Sequence, residues 1–301
     1  MESIDSCLDQ TWSDIEIIVV NDGSTDNTQE IIDHFVSKFP GKVIPVIQRN
    51  RGAAAARNAG LKLAKGQYIQ YLDADDILPA DKIEKQMKVL AENPDCIVGC
   101  KWIRFRQLVN MTIGNEGPHE SIAKDLSPLD WLLQYHTMPI HAWLIPRDLI
   151  DRGGAWREDL SYNDDGEFMY RVVKQCRKVL YCPDALVYYR TEQKDTISNI
   201  YYNHKIKLRS FFESVFSYSK ILLELEDTLR TRERVAEILQ EAFCEYYPLS
   251  IPFQKQINQK IQELNGSKYI YQGSTRKEKF LIPILGWKTV KITKHLIRQL
   301  T

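Results

Sequence analysis

Two short strand-like runs, each stopping at an acidic turn and each followed by a helical pattern, constrain this chain more than any other feature. The first, Glu16-Ile-Ile-Val-Val20, ends in Asn21-Asp-Gly-Ser-Thr-Asp26. The second, Gln67-Tyr-Ile-Gln-Tyr-Leu72, stops at Asp73-Ala-Asp-Asp76. The first, a continuous apolar run, reads as a strand buried on both faces, as parallel strands are. Asp26 or Thr25 is a natural N-cap for a helix over Thr28–Lys38. Lys42–Gln48 reads as a second strand, and Gly52 to Ala64 as an Ala-rich helix closed by Gly66. After Gln67–Leu72 as third strand, Pro79 opens a helix reaching about Glu92, and Cys96–Phe105 reads as a fourth strand. Strand and helix alternate throughout, which predicts an α/β domain with a mostly parallel sheet. Ligands of such sheets bind beyond the carboxyl ends of the strands. The turns at Asp22 and at Asp73 to Asp76 are therefore the first places to look for a site.

Size and charge narrow the class. With 301 residues, the chain has room for one large domain and an appendage. Hydrophobic residues at 44% and charged residues at 27% exclude a disordered or collagen-like chain. Lys plus Arg and Asp plus Glu are both 40, a balance that argues against a nucleic-acid partner. No apolar stretch is long enough to span a membrane, and the first ten residues do not read as a signal peptide. Cys7, Cys96, Cys100, Cys176, Cys182 and Cys244 form no Cys-x-x-Cys pair, so free thiols in a reducing cytoplasm are expected.

Beyond about Tyr201 the composition changes. Gly and Pro thin out and helical stretches follow, Asn203–Glu226 and Thr231–Glu245. This divides the chain into residues 1–200 and a helical region, 201–301. From Ile251 to Thr301 there are ten Lys or Arg and two Glu, a net of +8, so the first 250 residues carry −8. Leu285, Ile292, Leu296 and Leu300 fall on one helical face and Lys288, Lys291 and Arg298 on another, with Trp287 as an interfacial anchor. A basic amphipathic helix of this kind lies on an anionic membrane or packs on its own domain; amphipathicity fits both.

Three acidic clusters carry candidate chemistry. Asp73-Ala-Asp-Asp76 offers hard oxygen ligands at a strand end, suited to Mg²⁺ or Mn²⁺ on a diphosphate; as structure alone, Asp75 or Asp76 caps the helix before Pro79. Asp22, in Asn21-Asp-Gly-Ser24, accepts hydrogen bonds from a base or ribose, or only shapes a turn. Asp164 and Asp165 precede a helix from Glu167 to Lys174. Paired carboxylates raise one pKa by mutual repulsion, which suits a general base; the alternative is an N-cap.

Taken in order, these residues resemble a family 2 inverting glycosyltransferase with the GT-A fold. The matching pieces are Gln10-Thr-Trp-Ser-Asp-Ile-Glu-Ile-Ile-Val-Val-Asn-Asp-Gly-Ser-Thr-Asp26 and Asn50-Arg-Gly-Ala-Ala-Ala-Ala-Arg-Asn-Ala-Gly60. Gly66-Gln-Tyr-Ile-Gln-Tyr-Leu-Asp-Ala-Asp-Asp76 and the stretch from Gly153-Gly154 to Asn163-Asp-Asp-Gly-Glu-Phe168 follow. Each is weak alone; the ordered set, over roughly residues 5 to 200, is specific.

The resemblance implies transfer of a sugar from a nucleoside-diphosphate sugar to an acceptor hydroxyl, in polysaccharide or glycolipid assembly. Asp22 would contact the nucleotide base, Arg57 the base or diphosphate, and Asp73 the ribose. Asp75 would ligate the divalent metal, Mn²⁺ or Mg²⁺. Asp165 aligns with the family's catalytic base, with Asp164 where Glu is more usual, and Asp164 is the reserve candidate. The acceptor would be a saccharide or a lipid-linked saccharide, and the setting cytoplasmic, with the tail as a contact to the inner face of the membrane. A surface role for Arg57 is the bland alternative. His136 and His141, between Trp131 and Trp143, would line an acceptor cleft or be structural.

The family's first strand, ending in a Pro-x-Tyr-Asn-like segment, precedes the helix that here begins near Glu2. The resemblance therefore implies a GT-A domain incomplete at its N-terminus, with an unpaired sheet edge, a core gap and weak donor binding. A non-catalytic remnant that binds nucleotide or protein is the competing reading. A nucleotidyltransferase or a Rossmann dehydrogenase would need a Gly-rich phosphate loop near the first strand, and none is visible.

Overall fold

The computed structural model describes residues 1–106, 124–134, 138–191 and 204–300. The chain forms two compact units, Met1–Ser198 and Asn199–Thr301. The first unit runs α1 (Glu2–Leu8), β1 (Ile17–Asp22), α2 (Thr28–Lys38), β2 (Val43–Gln48), α3 (Ala53–Leu63) and β3 (Tyr68–Ile69). It continues through α4 (Lys82–Ala91), β4 (Ile97–Phe105), α5 (Pro128–Gln134), β5 (Ile145–Pro146), α6 (Arg147–Gly153), α7 (Asp164–Val173) and β6 (Val179–Arg190). The architecture is α/β, with parallel strand pairs flanked by helices, as the alternating pattern predicts.

β1 and β2 pair in parallel, with α2 crossing between them, from Ile17 opposite Val43 to Asp22 opposite Gln48. Ile4, Ile17, Phe35 and Val43 close a small core between α1, α2 and this pair. β4 and β6 form the second parallel pair, its register shifting between Cys100 and Lys101. Ile97, Val98, Val179 and Val187 in that pair are fully buried, which is why β4 opens on an apolar run, Ile97 to Cys100, before Lys101 and Arg104 break it. β1 pairs only with β2; its other edge carries no ladder among the described residues.

Several local expectations are corrected. The third strand is not six residues long: only Tyr68–Ile69 pairs, antiparallel to β5. The Gln70 side chain, donating to the Tyr71 and His141 carbonyls, takes over just beyond the ladder. Gly66 does not close α3. Ala64 ends it in an extended conformation, and the Lys65 and Gly66 amides donate to the Glu16 carboxylate. α4 begins at Lys82 rather than Pro79, because Ile77 first bridges to Tyr188 of β6. Asp26 does serve the start of α2, accepting from the Thr28 amide at 3.1 Å, although Asn27 holds the cap position.

The second unit is helical: α8 (His204–Leu225), α9 (Leu229–Glu245), α10 (Gln254–Glu263), α11 (Arg276–Leu285) and α12 (Trp287–Leu300). Thr228 caps α9, and Thr275 with Glu278 forms a capping box on α11. The expected faces of α12 are redrawn. Lys291 is only 5% exposed, its ammonium donating to the Glu245 carbonyl at 2.9 Å. Trp287 packs edge-on against Tyr247. The Arg298 and Leu300 side chains lie outside the described residues, as does His136. No helix among the described residues is long and apolar enough to cross a membrane. All six cysteines are free, and all but Cys7 are buried.

Candidate functional site

The carboxyl end of β1 is shaped by its turn residues. Asn21 accepts from the Ser24 amide at 2.8 Å, an Asx turn that reverses the chain after Asp22. Gly23 has φ 76°, and a Cβ there would sit 2.7 Å from the Asn50 nitrogen, so only glycine lets the two loops touch. Asp22 Oδ1 accepts from Gln48 Nε2 (2.7 Å) and the Arg51 amide (2.9 Å), and Oδ2 from the Gly52 amide (2.8 Å). A negative charge at the start of α3 is favoured by the helix dipole. Asp22 thus holds the loop that launches α3, and Oδ2 keeps capacity for one more donor.

One helical turn on, α3 projects Arg57. This is not a surface arginine: its side chain is 15% exposed. Its guanidinium donates to Asp73 Oδ1 at 2.7 Å and to Asp164 Oδ2 at 2.9 Å. It also lies over the Trp156 ring, 4.4 Å from the centroid. Burial opposes its charge, but Asp73, Asp164 and Asp165 outweigh burial and hold the guanidinium more firmly protonated than usual. In return Arg57 keeps Asp73 below the usual carboxylate range against the opposing effect of burial.

The platform under Arg57 is a set of residues that motif reading did not single out. Trp156 stacks on Phe168 of α7 at 4.1 Å, and Tyr71 meets both rings edge-on. Asn58 clamps the segment: its Nδ2 donates to the Trp156 carbonyl and its Oδ1 accepts from the Trp156 amide, both at 2.9 Å. The only sequence signal was that Asn58 and Trp156 each fall inside a matched stretch.

The Asp73–Asp76 turn is fastened from below by β6. Arg190 donates its amide to Asp76 Oδ1 and its Nε to the Asp75 carbonyl, both at 2.7 Å. Asp76 is buried, with its Oδ2 3.0 Å from His141 Nδ1. That contact is not aligned as a hydrogen bond, and neither ring nitrogen of His141 has a hydrogen-bond partner among the described residues. His141 is fully buried and stacks on Tyr189, so it belongs to the floor of the turn rather than to the lining of a cleft. Asp75 differs from its neighbours. It is half-buried, and its carboxylate makes no hydrogen bond or ion pair among the described residues. Burial, then the charge of Asp76, pushes its pKa up.

At the start of α7, Asn163 takes the left-handed conformation (φ 59°), and Asp164 and Asp165 occupy the first helical positions. The cap is therefore Asn163, not either aspartate. Asp164 is consumed by Arg57. Asp165 makes no ion pair among the described residues and accepts only the Gly166 amide, at 2.7 Å. Burial and the charge of Asp164 push its pKa up to about 6. Tyr189 ties the two acidic groups together: burial raises its pKa, and so do Asp76, Asp75, Asp73 and Asp165.

Arg57, Asp73, Asp75, Asp164 and Asp165 thus form one electrostatic cluster, while Asp22, at the end of β1, holds the loop that leads into α3. A separate pocket of roughly 250 Å³, lined by Arg51, Asn58, Lys62 and Glu158 among others, includes none of the six candidates. Among the described residues no three His, Cys, Asp or Glu side chains converge to hold a metal ion by themselves. Asp75, whose carboxylate makes no ion pair among the described residues, fits a divalent ion whose other ligands arrive with a diphosphate.

Known proteins share this arrangement of chain. The family model described as glycosyl transferase family 2 matches residues 1–154. An uncharacterized glycosyltransferase of Rickettsia prowazekii, RP339, is 29% identical over 230 residues, 75% of this chain and 64% of that protein. The minor teichoic acid biosynthesis protein GgaB of Bacillus subtilis is 27% identical over 231 residues, 74% of this chain and 25% of its own length. Among solved structures, S. aureus TarS 1–349 in complex with UDP-GlcNAc superposes with a TM-score of 0.64 at 18% identity, covering 96% of this chain and 83% of that one. GalNAc-T7 with UDP, GalNAc and Mn²⁺ gives 0.55 at 16% identity, covering 97% and 54%. At such identities these likenesses show the fold.

Proposed function

Because the chain belongs to glycosyl transferase family 2, we propose that it moves a sugar from a nucleoside-diphosphate sugar to an acceptor hydroxyl with inversion, from a GT-A domain over residues 1–200. The observation that carries this reading is the contrast in pairing between Asp164 and Asp165: burial raises the pKa of both, but Asp164 is locked to Arg57, while Asp165, raised to about 6, makes no ion pair among the described residues. A base near neutrality needs such a pKa, high enough to take a proton and low enough to be ionised.

Asp165 removes the proton from the acceptor hydroxyl as that oxygen attacks the anomeric carbon. The bond from that carbon to the diphosphate oxygen breaks, and its electron pair leaves with the nucleoside diphosphate. One base suffices for a single displacement. Arg57 pairs with Asp73 and Asp164, and Asp165 is left as the carboxylate of this cluster with no ion pair among the described residues. Asp73 faces the ribose, and Asp22 offers its remaining acceptor capacity to the base. Asp75 would hold a divalent ion, Mn²⁺ or Mg²⁺, on the donor diphosphate, and that ion would neutralise charge on the leaving group. The acceptor is a saccharide or lipid-linked saccharide in cell-surface polysaccharide or glycolipid assembly, reached from the cytoplasm at the inner face of the membrane. The teichoic acid role of the relative GgaB supports that class.

The test is a thermal-shift panel of UDP, GDP and dTDP sugars with Mn²⁺, Mg²⁺ or EDTA, with Asp75→Asn beside the parent chain. A metal-dependent shift with one nucleotide, lost in the variant, supports the donor site. Donor binding without turnover on any acceptor would favour a binding remnant. No shift with any nucleotide would overturn the reading.

A further inference from the structure

We infer that the outward face of the α11–α12 hairpin docks this chain on an anionic lipid bilayer. The inference goes beyond the transfer reaction and does not depend on it. The two helices pack on each other across a turn at Gly286 (φ 75°). A hairpin built only for water turns its charges out and its apolar residues in. Here part of that order is reversed. Lys291 points inward, to the Glu245 carbonyl and over the Tyr271 ring at 4.5 Å. Lys294 pairs with Glu278 at 2.6 Å. Outside stand Phe280 (72% exposed), Ile284 (67%), Leu285, Ile292 and Leu296. Phe280 and Ile284, and Ile292 and Leu296, are each four apart, so each helix shows one apolar stripe.

Charge selects the occupant of this face. From Leu264 to Thr301 the chain has eight Lys or Arg and one acid, Glu278. That acid is 3% exposed and spent internally, accepting from the Ser274 amide and hydroxyl, the Thr275 amide and Lys294. Arg276, Lys277, Lys279 and Lys288 are exposed beside the apolar stripe. A second copy would bring the same positive charge against itself, which opposes pairing. Acidic headgroups complement it, and an interfacial helix combines this charge with shallow apolar insertion. Trp287, packed on Tyr247, is not the anchor; Phe280 and Ile284 are.

The full chain should float with vesicles of phosphatidylcholine and phosphatidylglycerol in equal parts, float weakly with phosphatidylcholine alone, and detach as salt rises. Replacing the apolar residues (Phe280→Gln with Ile284→Gln and Leu285→Gln) should lower partitioning by about tenfold or more. Replacing the bases (Lys277→Gln with Lys279→Gln and Lys288→Gln) should do the same on anionic vesicles only. Circular dichroism checks that both variants stay folded. On the unmutated chain, anionic vesicles should slow amide hydrogen exchange in residues 276–297. Equal flotation with both lipids, unchanged flotation of the variants, or unchanged exchange would each overturn the inference. So would a dimer, seen by light scattering, that the apolar variant abolishes while vesicle binding is absent.

Discussion

Asp22 and Asp165 each sit where a strand or loop hands over to a helix, and the chain treats them in opposite ways. Asp22 accepts from three donors, two of them backbone amides at the start of α3. Asp165 accepts a single amide and has another carboxylate for a neighbour. A carboxylate whose partners are built in behaves as framework, since any change must break existing bonds. One left short of partners has a raised pKa and an unspent capacity to take a proton. Asp73 and Asp164 lie between the extremes, with Arg57 as their shared counter-charge.

The largest expected effect comes from the unsatisfied side. Asp165→Asn should lower kcat on the order of a thousandfold, the usual scale for loss of a positioned base. It should not lower the melting temperature. The sign follows from linkage: a carboxyl with a raised folded pKa favours folding when protonated, below its ordinary value of 3.8, and that contribution is lost as pH rises through about 6. At neutral pH the uncharged amide relieves that repulsion. A variant that unfolds early would place Asp165 with the framework and break the comparison.

Arg57→Met tests the shared counter-charge. It strands two partly buried carboxylates on the Trp156 platform. Discounted for their exposure, the loss should be about 2 kcal/mol, a fall of several degrees in Tm. Asp22→Asn is milder. It keeps one acceptor but sets an NH₂ group against backbone donors, for a loss of about 1 kcal/mol by urea unfolding. Its kinetic mark should fall on the donor KM more than on kcat, because the loop moves and the base does not. The smallest effect is on pH. The acid limb of kcat/KM should lie near pH 6, where Asp165 ionises. Asp164→Asn removes the neighbouring negative charge, so the Asp165 pKa drops and the limb moves toward lower pH. An unmoved limb would show that Arg57 already cancels the charge of Asp164 where Asp165 feels it.

Much of the fold was legible because it is locally encoded. The run before Asn21 gives β1, the Thr28–Lys38 helix matches its residues, and β4 falls within the expected Cys96–Phe105 strand. The α/β class and the family resemblance followed from the order of these pieces. The third strand was overread because Gln67–Leu72 has the right composition, while its pairing depends on β5, far along the chain. The candidate acids were legible as residues but not in their states. Nothing near Asp164 says that Arg57 will reach it, and nothing near His141 says that it will be buried against Asp76. Lys291 was misplaced on the polar face of α12 for the same reason: Glu245, which receives it, lies 46 residues earlier.

The span between Arg57 and Asp164 has a consequence for the order in which the chain acquires its parts. The Asp22 bonds close loops of 26 to 30 residues, whereas the Arg57–Asp164 pair closes one of 107. By loop length alone the longer closure costs about 1 kcal/mol more entropy, and contacts between distant segments tend to form late. A refolding chain should gather its donor-side loop first and gain the Arg57 crossing among its last steps. Recovery of turnover would then lag recovery of nucleotide binding, and a partly folded chain would grip a nucleotide before it could transfer a sugar.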